Sequence, residues 1–117
     1  GQGCFASGTV KATYGTGGFL LLNTGDKPVD SQHKLLTTIA YKIKGKTAYG
    51  LEGSLYNAGT TVKWLRDGMN LIQSYDETET LARTLESNEG VYLVSSFTGM
   101  GAPYWISKPG AMIVGLS

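Results

Sequence analysis

The sequence predicts an α/β layer fold, and three observations carry it. The first half alternates apolar or β-branched residues with polar ones between glycine turns, the period-two pattern of strands. Near residue 54 the period lengthens, with Leu55, Ala58, Val62, Leu65 and Met69 falling on one helical face. Short apolar runs return after the helical stretch. Glycine makes up 17 of 117 residues, about twice ordinary usage, and sits between these segments rather than in a low-complexity tract.

In chain order, Thr9 to Tyr14 reads as the first strand, being β-branched and alternating, and Gly15-Thr16-Gly17-Gly18 as a turn. Phe19 to Asn23 is the second strand, closed by Thr24-Gly25-Asp26-Lys27-Pro28. Leu35 to Ile43 is the third, Gly45-Lys46 a hairpin turn and Thr47 to Leu51 the fourth, giving an antiparallel meander. The first helix is expected to begin at a Ser54 N-cap and end near Gly68. A second, shorter one runs from Asp76 to Leu85, with Asp76 and Glu79 as a capping-box-like start and Leu81 and Leu85 as its buried contacts. Ser87 to Gly90 is a turn, and Val91 to Val94 is a short strand of the kind buried on both faces. A Gly/Pro-rich stretch, Phe97 to Gly110, leads to a last strand. The order is β-β-β-β-α-α-β-loop-β.

Composition narrows the function classes. Hydrophobic residues at 41% and charged residues at 16% are those of a folded soluble domain, and the length allows one domain at most. A net charge of +1 without a basic run leaves no footprint for nucleic acid. The single cysteine, Cys4, forbids an intrachain disulfide and fits a reducing compartment; with the single His33 it cannot build a zinc site. Cys4 reads as an idle thiol and His33 as a solvated loop residue. No apolar run approaches a membrane span and nothing resembles a signal peptide, so the expected location is the cytoplasm. A start at Gly1 and an uncapped strand-like end suggest a piece of something larger.

Few motifs carry chemistry. The Walker A pattern is absent, and Gly1-Gln2-Gly3-Cys4-Phe5-Ala6 matches a dinucleotide fingerprint by chance, since no helix pattern follows. Tyr14-Gly15-Thr16-Gly17-Gly18-Phe19 is richer: its amides can turn toward an anion and the Thr16 hydroxyl can donate to a phosphate oxygen. A plain hairpin turn accounts for those glycines equally well. Gly59 is expected inside a helix, where it costs about 1 kcal/mol against Ala, and marks close approach by backbone or ligand. Glu52 is placed at a strand end before the helix, as a solvated carboxylate or a metal- or water-directed one. Tyr104-Trp105 reads as a packed loop rather than a sugar platform.

These segments resemble the FGGY carbohydrate kinases. The stretches are Lys11 to Phe19, Asn23 to Gly25, Leu35 to Ala40, Leu51 to Ser54, Trp64 to Asp67, Gly90 to Tyr92 and Phe97 to Trp105, in family order over nearly the whole chain. Within the family, Tyr-Gly-Thr-Gly followed by Phe is similar to the glycerol kinases; xylulose and gluconate kinases usually carry Gly-Thr-Ser-Gly. The resemblance implies an actin-like, ribonuclease-H-like fold, with the chain as the first part of the second, nucleotide-binding domain. It also implies transfer of the γ-phosphoryl group of ATP to glycerol, assisted by Mg2+. By position, Thr16 would contact the nucleotide phosphates with the amides of Gly15 and Gly17. Gly59 would line the nucleotide site, Lys63 would take a contacting position that is often Gln, and Phe19 would pack on glycerol.

The resemblance also says what these residues lack. The family's catalytic aspartate, its first domain and the segment completing the adenine site lie outside this stretch, so the isolated chain is expected to be inactive. After Tyr104-Trp105 the family has an acidic residue and then Ala-Arg-Gly; here the run is Ile106 to Gly110, one residue shorter and without the arginine. Two alternatives stand beside a glycerol kinase: a non-catalytic structural or nucleotide-binding module, and a kinase for another polyol or sugar. An incomplete sheet exposes its edges, so a homo-oligomer is expected.

Overall fold

The structure is a computed structural model that describes residues 2–117. Gly1, where the Gly1–Ala6 match begins, lies outside the described residues, and no helix follows Gly3 to Ala6.

Four strands form one antiparallel sheet: β1 Val10–Tyr14, β2 Gly18–Gly25, β3 Leu36–Ile43 and β4 Lys46–Leu55. β1 and β2 form a hairpin closed by the glycine turn, with Tyr14 opposite Gly18 and Val10 opposite Leu22. β3 and β4 form another, with Ile43 opposite Lys46. Its two-residue turn is Lys44-Gly45, both at positive φ (49° and 79°), the primed geometry that matches strand twist. The turn therefore falls one residue earlier than the Gly45-Lys46 expectation.

The meander expectation is corrected. The sheet order is β1-β2-β4-β3, so β4 lies between β2 and β3 and pairs antiparallel with both. β2 and β3 consequently run in the same direction. No tight hairpin can join strands of like direction, and the connection from Gly25 to Leu36 carries the chain past the place that β4 fills.

β4 is also longer than the sequence pattern suggests. It runs to Leu55, where Phe19 faces Ser54 and Gly18 faces Leu55. Ser54 is buried within the strand, and its carbonyl accepts the Ala102 amide at 3.0 Å, so it caps no helix. Helix α1 is Gly59–Asp67, entered from Ala58 without a side-chain cap. Leu55 and Met69 share its spacing but lie outside it. Glu52, likewise, is not at a strand end: it sits within β4 opposite Leu21 and Leu36, where it accepts the Ser54 hydroxyl at 3.2 Å.

Helix α2, Asp76–Ala82, is shorter than expected, and Asp76 makes no cap bond. The carboxylate of Glu77 takes that part, accepting the amides of Gln73 and Ser74 at 3.1 Å each. Glu79 instead pairs with Arg83 one turn on. Leu81 and Leu85 are 52% and 63% exposed, so the buried contacts expected of them are absent. β5 (Tyr92–Val94) and β6 (Met112–Val114) form a separate two-stranded ribbon. Tyr92 and Val94 are exposed, which corrects the expectation of a strand buried on both faces.

Between these strands, residues 95–111 fold back on the end of the sheet. Met100 bridges Ile106, and Trp64 packs on Phe97 with ring centroids 4.8 Å apart. Trp105 packs edge-on against Tyr56, and its indole nitrogen donates to the Lys34 carbonyl at 2.7 Å. The packed-loop expectation therefore holds for Trp105 through these two contacts, whereas Tyr104 is 60% exposed and is not packed as expected.

Burial is sparse. Ala48 and Ile72 are the apolar side chains counted as buried, with Asn23, Ser54 and Ser96 as the polar ones. Strand register places Val10, Leu20, Leu22, Ile39, Leu51 and Leu55 on one face of the sheet. Most of that face is open, Leu20 being 44% and Ile39 63% exposed. The opposite face is partly covered by the segment before β1. There Asn23 donates to the Cys4 carbonyl at 3.0 Å and Tyr41 to that of Phe5 at 3.1 Å. The radius of gyration, 17.7 Å, exceeds the roughly 13 Å of a compact chain of this length. The described residues are an elongated layer with one apolar face uncovered.

Candidate functional site

Two neighbouring elements build the site: the glycine turn at one end of the sheet and the start of α1. The first amides of a helix have no partner within the helix. Here the turn supplies carbonyls in place of a capping side chain. Gly59 donates to the Gly15 carbonyl at 2.8 Å, and Ala58 and Thr60 donate to that of Thr16 at 3.0 and 3.2 Å. The Thr60 hydroxyl adds a further bond to the Thr16 carbonyl at 2.9 Å. The helix start is therefore engaged by backbone oxygens and is not free to receive an anion.

Gly59 follows from that docking. It is the first residue of α1 rather than an interior one, and a Cβ there would lie 2.6 Å from the Gly15 carbonyl oxygen. Gly17 answers to a second close approach, since its Cβ would meet the Leu55 carbonyl at 2.6 Å. Close backbone packing thus accounts for both glycines.

A cavity of about 590 Å³ opens beside this junction. Gly15 and Thr16 line it from the turn, Gly59, Thr60, Val62 and Lys63 from α1, and Tyr75 and Thr78 from the start of α2. The Gly15 amide donates to the Gly17 carbonyl at 2.8 Å, so that donor is engaged inside the turn. The Thr16 hydroxyl and the Thr16 and Gly17 amides make no hydrogen bond to the described residues. They are the uncommitted donors of the turn. Lys63 adds an exposed ammonium on the helix side.

The structure therefore brings four of the six expected residues to one cavity: Gly15, Thr16, Gly59 and Lys63. Gly17 stands at its margin, packed on the end of β4. Phe19 does not line it; it lies along β2, 48% exposed, on the face shared with Thr13 and Ser54. Tyr75 and Thr78 are lining residues that the pattern missed, because nothing in their local spacing ties them to a turn so far upstream.

Charge near the cavity is arranged by one pair. Arg66 donates to both carboxylate oxygens of Asp67, at 2.6 and 3.2 Å, and its guanidinium carbon lies 4.3 Å from the Tyr75 ring centroid. The hydrogen bond from Arg66, aided by its charge and that of Lys63, holds the Asp67 carboxyl below its usual range. The same bond raises the Arg66 guanidinium.

The sequence model of the FGGY family of carbohydrate kinases, C-terminal domain, matches residues 10–117. The chain belongs to the FGGY family of carbohydrate kinases. It is 53% identical to a glycerol kinase of Alteromonas mediterranea and 54% to one of Rhodospirillum centenum, covering 100% of this chain and 24% of each relative. Among solved structures it is similar to Plasmodium falciparum glycerol kinase with ADP, at a TM-score of 0.88 and 43% identity, over 99% of this chain and 23% of that one. The FGGY chain thus spans about a quarter of the length of the curated relatives it matches. Its fold is the ribonuclease-H-like, actin-like ATPase fold of that family, represented in part. No helix among the described residues is long and apolar enough to cross a membrane.

Proposed function

We propose that this chain is the first part of the nucleotide-binding domain of an ATP-dependent glycerol kinase, a phosphotransferase giving glycerol 3-phosphate from glycerol and ATP. The observation that carries the reading is the cavity beside the glycine turn. It pairs an uncommitted hydroxyl, Thr16, with the Lys63 ammonium, in a chain about half identical to glycerol kinases.

Phosphoryl transfer asks for positioning and charge stabilisation rather than covalent chemistry from the protein. In this reading the Thr16 hydroxyl and the Thr16 and Gly17 amides donate to phosphate oxygens, and Lys63 offsets their charge. Gly15 and Gly59 hold turn and helix at the distance that keeps the cavity open. Phe19, on the strand leaving the turn, is the proposed apolar contact for the glycerol carbons. Among the described residues no group of three His, Cys, Asp or Glu side chains could hold a metal. The cavity lining also offers no carboxylate, the group by which a protein holds Mg2+ beside phosphates, so magnesium belongs to the proposal only as the counter-ion of the nucleotide.

The proposed location is the cytoplasm, consistent with a free Cys4 and with a reaction that consumes ATP. The proposed assembly is a homo-oligomer, for which the open sheet edges and apolar face are the support. The test is a turnover assay on the full-length polypeptide that contains this chain. Glycerol-dependent ADP release is expected. Preference for a pentulose would redirect the assignment to another sugar, and nucleotide binding without turnover would favour a non-catalytic module.

A further inference from the structure

We propose that Asn57 is a positioning residue for nucleotide binding: it fixes the start of α1, and through it the donors of the glycine turn, against the loop that returns over the sheet end. The proposal deepens the nucleotide reading above and rests on it.

Helix α1 does not set its own place. It has nine residues, no side-chain cap and no buried residue, and so short a helix is marginal in water without outside packing. Its entry is held instead between two stretches of backbone. On one side the amides of Ala58, Gly59 and Thr60 donate to the Gly15 and Thr16 carbonyls. On the other, the half-buried Asn57 side chain meets the loop twice. Its Oδ1 accepts the Thr98 hydroxyl at 3.2 Å, and its Nδ2 donates to the Gly99 carbonyl at 3.4 Å.

The loop has anchors of its own. Gly99 is buried, and a Cβ there would meet the Ile106 carbonyl at 2.9 Å and the Tyr56 ring at 3.2 Å. The Ala102 amide donates to the Ser54 carbonyl, and the Phe97 ring packs on Trp64 within α1. Buried Ser96 donates its hydroxyl to the Gly110 carbonyl and ties the two ends of the loop together.

Asn57 is absent from the cavity lining, so it acts on a ligand only through its neighbours. Ala58, the next residue, donates its amide to the Thr16 carbonyl at 3.0 Å. That carbonyl and the Gly17 amide belong to one peptide plane, so the grip on the oxygen also orients the amide. The Gly17 amide is one of the uncommitted donors of the turn, and the Thr16 hydroxyl is carried by the same residue. A contact outside the cavity thereby sets the direction of donors inside it.

The test uses the full-length polypeptide, with ADP affinity from calorimetric titration and separate KM values for ATP and glycerol. Asn57→Ala is expected to weaken ADP about tenfold, the size of one lost hydrogen bond to a charged group, and to raise KM for ATP with it. KM for glycerol is expected to stay unchanged, a split that a general loss of structure would not give. Thr98→Val, at an exposed position, gives a smaller loss for ADP, and Thr98→Ser restores the affinity. Because the two side chains act through one contact, Asn57→Ala combined with Thr98→Val binds ADP no more weakly than Asn57→Ala alone. Unchanged ADP affinity in Asn57→Ala, additive losses in the double variant, or equal rises in KM for ATP and glycerol would overturn the positioning role. A parent protein that binds no ADP removes the nucleotide reading itself, and this role with it.

Discussion

The amide of Gly59 reaches the carbonyl of Gly15 at 2.8 Å, and no side chain fits between the two backbones. A hairpin turn and a helix start separated in sequence by the whole of β2, β3 and β4 are thereby fused into one wall of the cavity.

Gly59→Ala forces a methyl to 2.6 Å from that oxygen, so turn and helix must separate. A loss of stability of about 1–3 kcal/mol is expected, as for other overpacked sites. Thermal unfolding checks it, and a matching loss of ADP affinity would show that the spacing also sets the cavity.

Thr16→Val separates binding from folding. The hydroxyl bonds to none of the described residues, so stability should stay within about 0.5 kcal/mol. Hydrogen bonds to charged groups contribute about 1.5–3 kcal/mol, so ADP should bind at least tenfold more weakly. Calorimetric titration beside a melting curve reads both, and a destabilised variant with unchanged affinity would remove Thr16 from the site.

Much of the fold was legible because its signals are local. The β1–β2 hairpin is announced by Gly15–Gly18, the β3–β4 hairpin by Gly45, although the turn is Lys44-Gly45 rather than Gly45-Lys46, and α1 by the spacing of Ala58, Val62 and Leu65. What stayed hidden depends on distant partners. Leu55 continues the helical spacing, yet its register opposite Gly18 makes it strand. Ser54 has the chemistry of a cap, but the return of Ala102 draws its carbonyl into a tertiary bond. The meander reading failed for the same reason: turns reveal which strands are joined, and the β2–β4 pairing has no turn. Thr16 and Lys63 are named by the family resemblance and line one cavity, whereas Tyr75 reaches that cavity only through the placement of the segment that leads into α2.

Asp67 gives a pH signature. Its carboxyl is held below the ordinary value by Arg66, so the folded state binds this proton more weakly than the unfolded chain does. Its stabilising contribution is present above the unfolded value near 3.8 and is lost as pH falls through the lower folded value. The stability difference between the parent protein and Asp67→Asn should therefore be constant from neutral pH to about 5 and shrink below 3.8. Acid titration of unfolding in both proteins checks this; a difference that grows on acidification would contradict the sign.

The open sheet face predicts the behaviour of the 117 residues alone. Val10, Leu20, Ile39 and Leu55 present apolar surface without cover, and such patches associate. Light scattering should show a mass that rises with concentration. Leu20→Lys with Ile39→Lys should lower it, and a constant monomeric mass in the parent chain would refute the prediction.

The strand order has a consequence in time. Each hairpin closes over a short loop, whereas the seam that joins them must bring Gly18 opposite Leu55 and Asn23 opposite Gly50 across the whole second hairpin. Pairings so remote along the chain form late, because their loop-closure entropy comes before any reward. Gly50 sits on that seam, where a Cβ would lie 2.9 Å from the Leu22 carbonyl oxygen. Two preformed ribbons therefore zip together at a glycine, and the start of α1 reaches the glycine turn only after that slow encounter is complete.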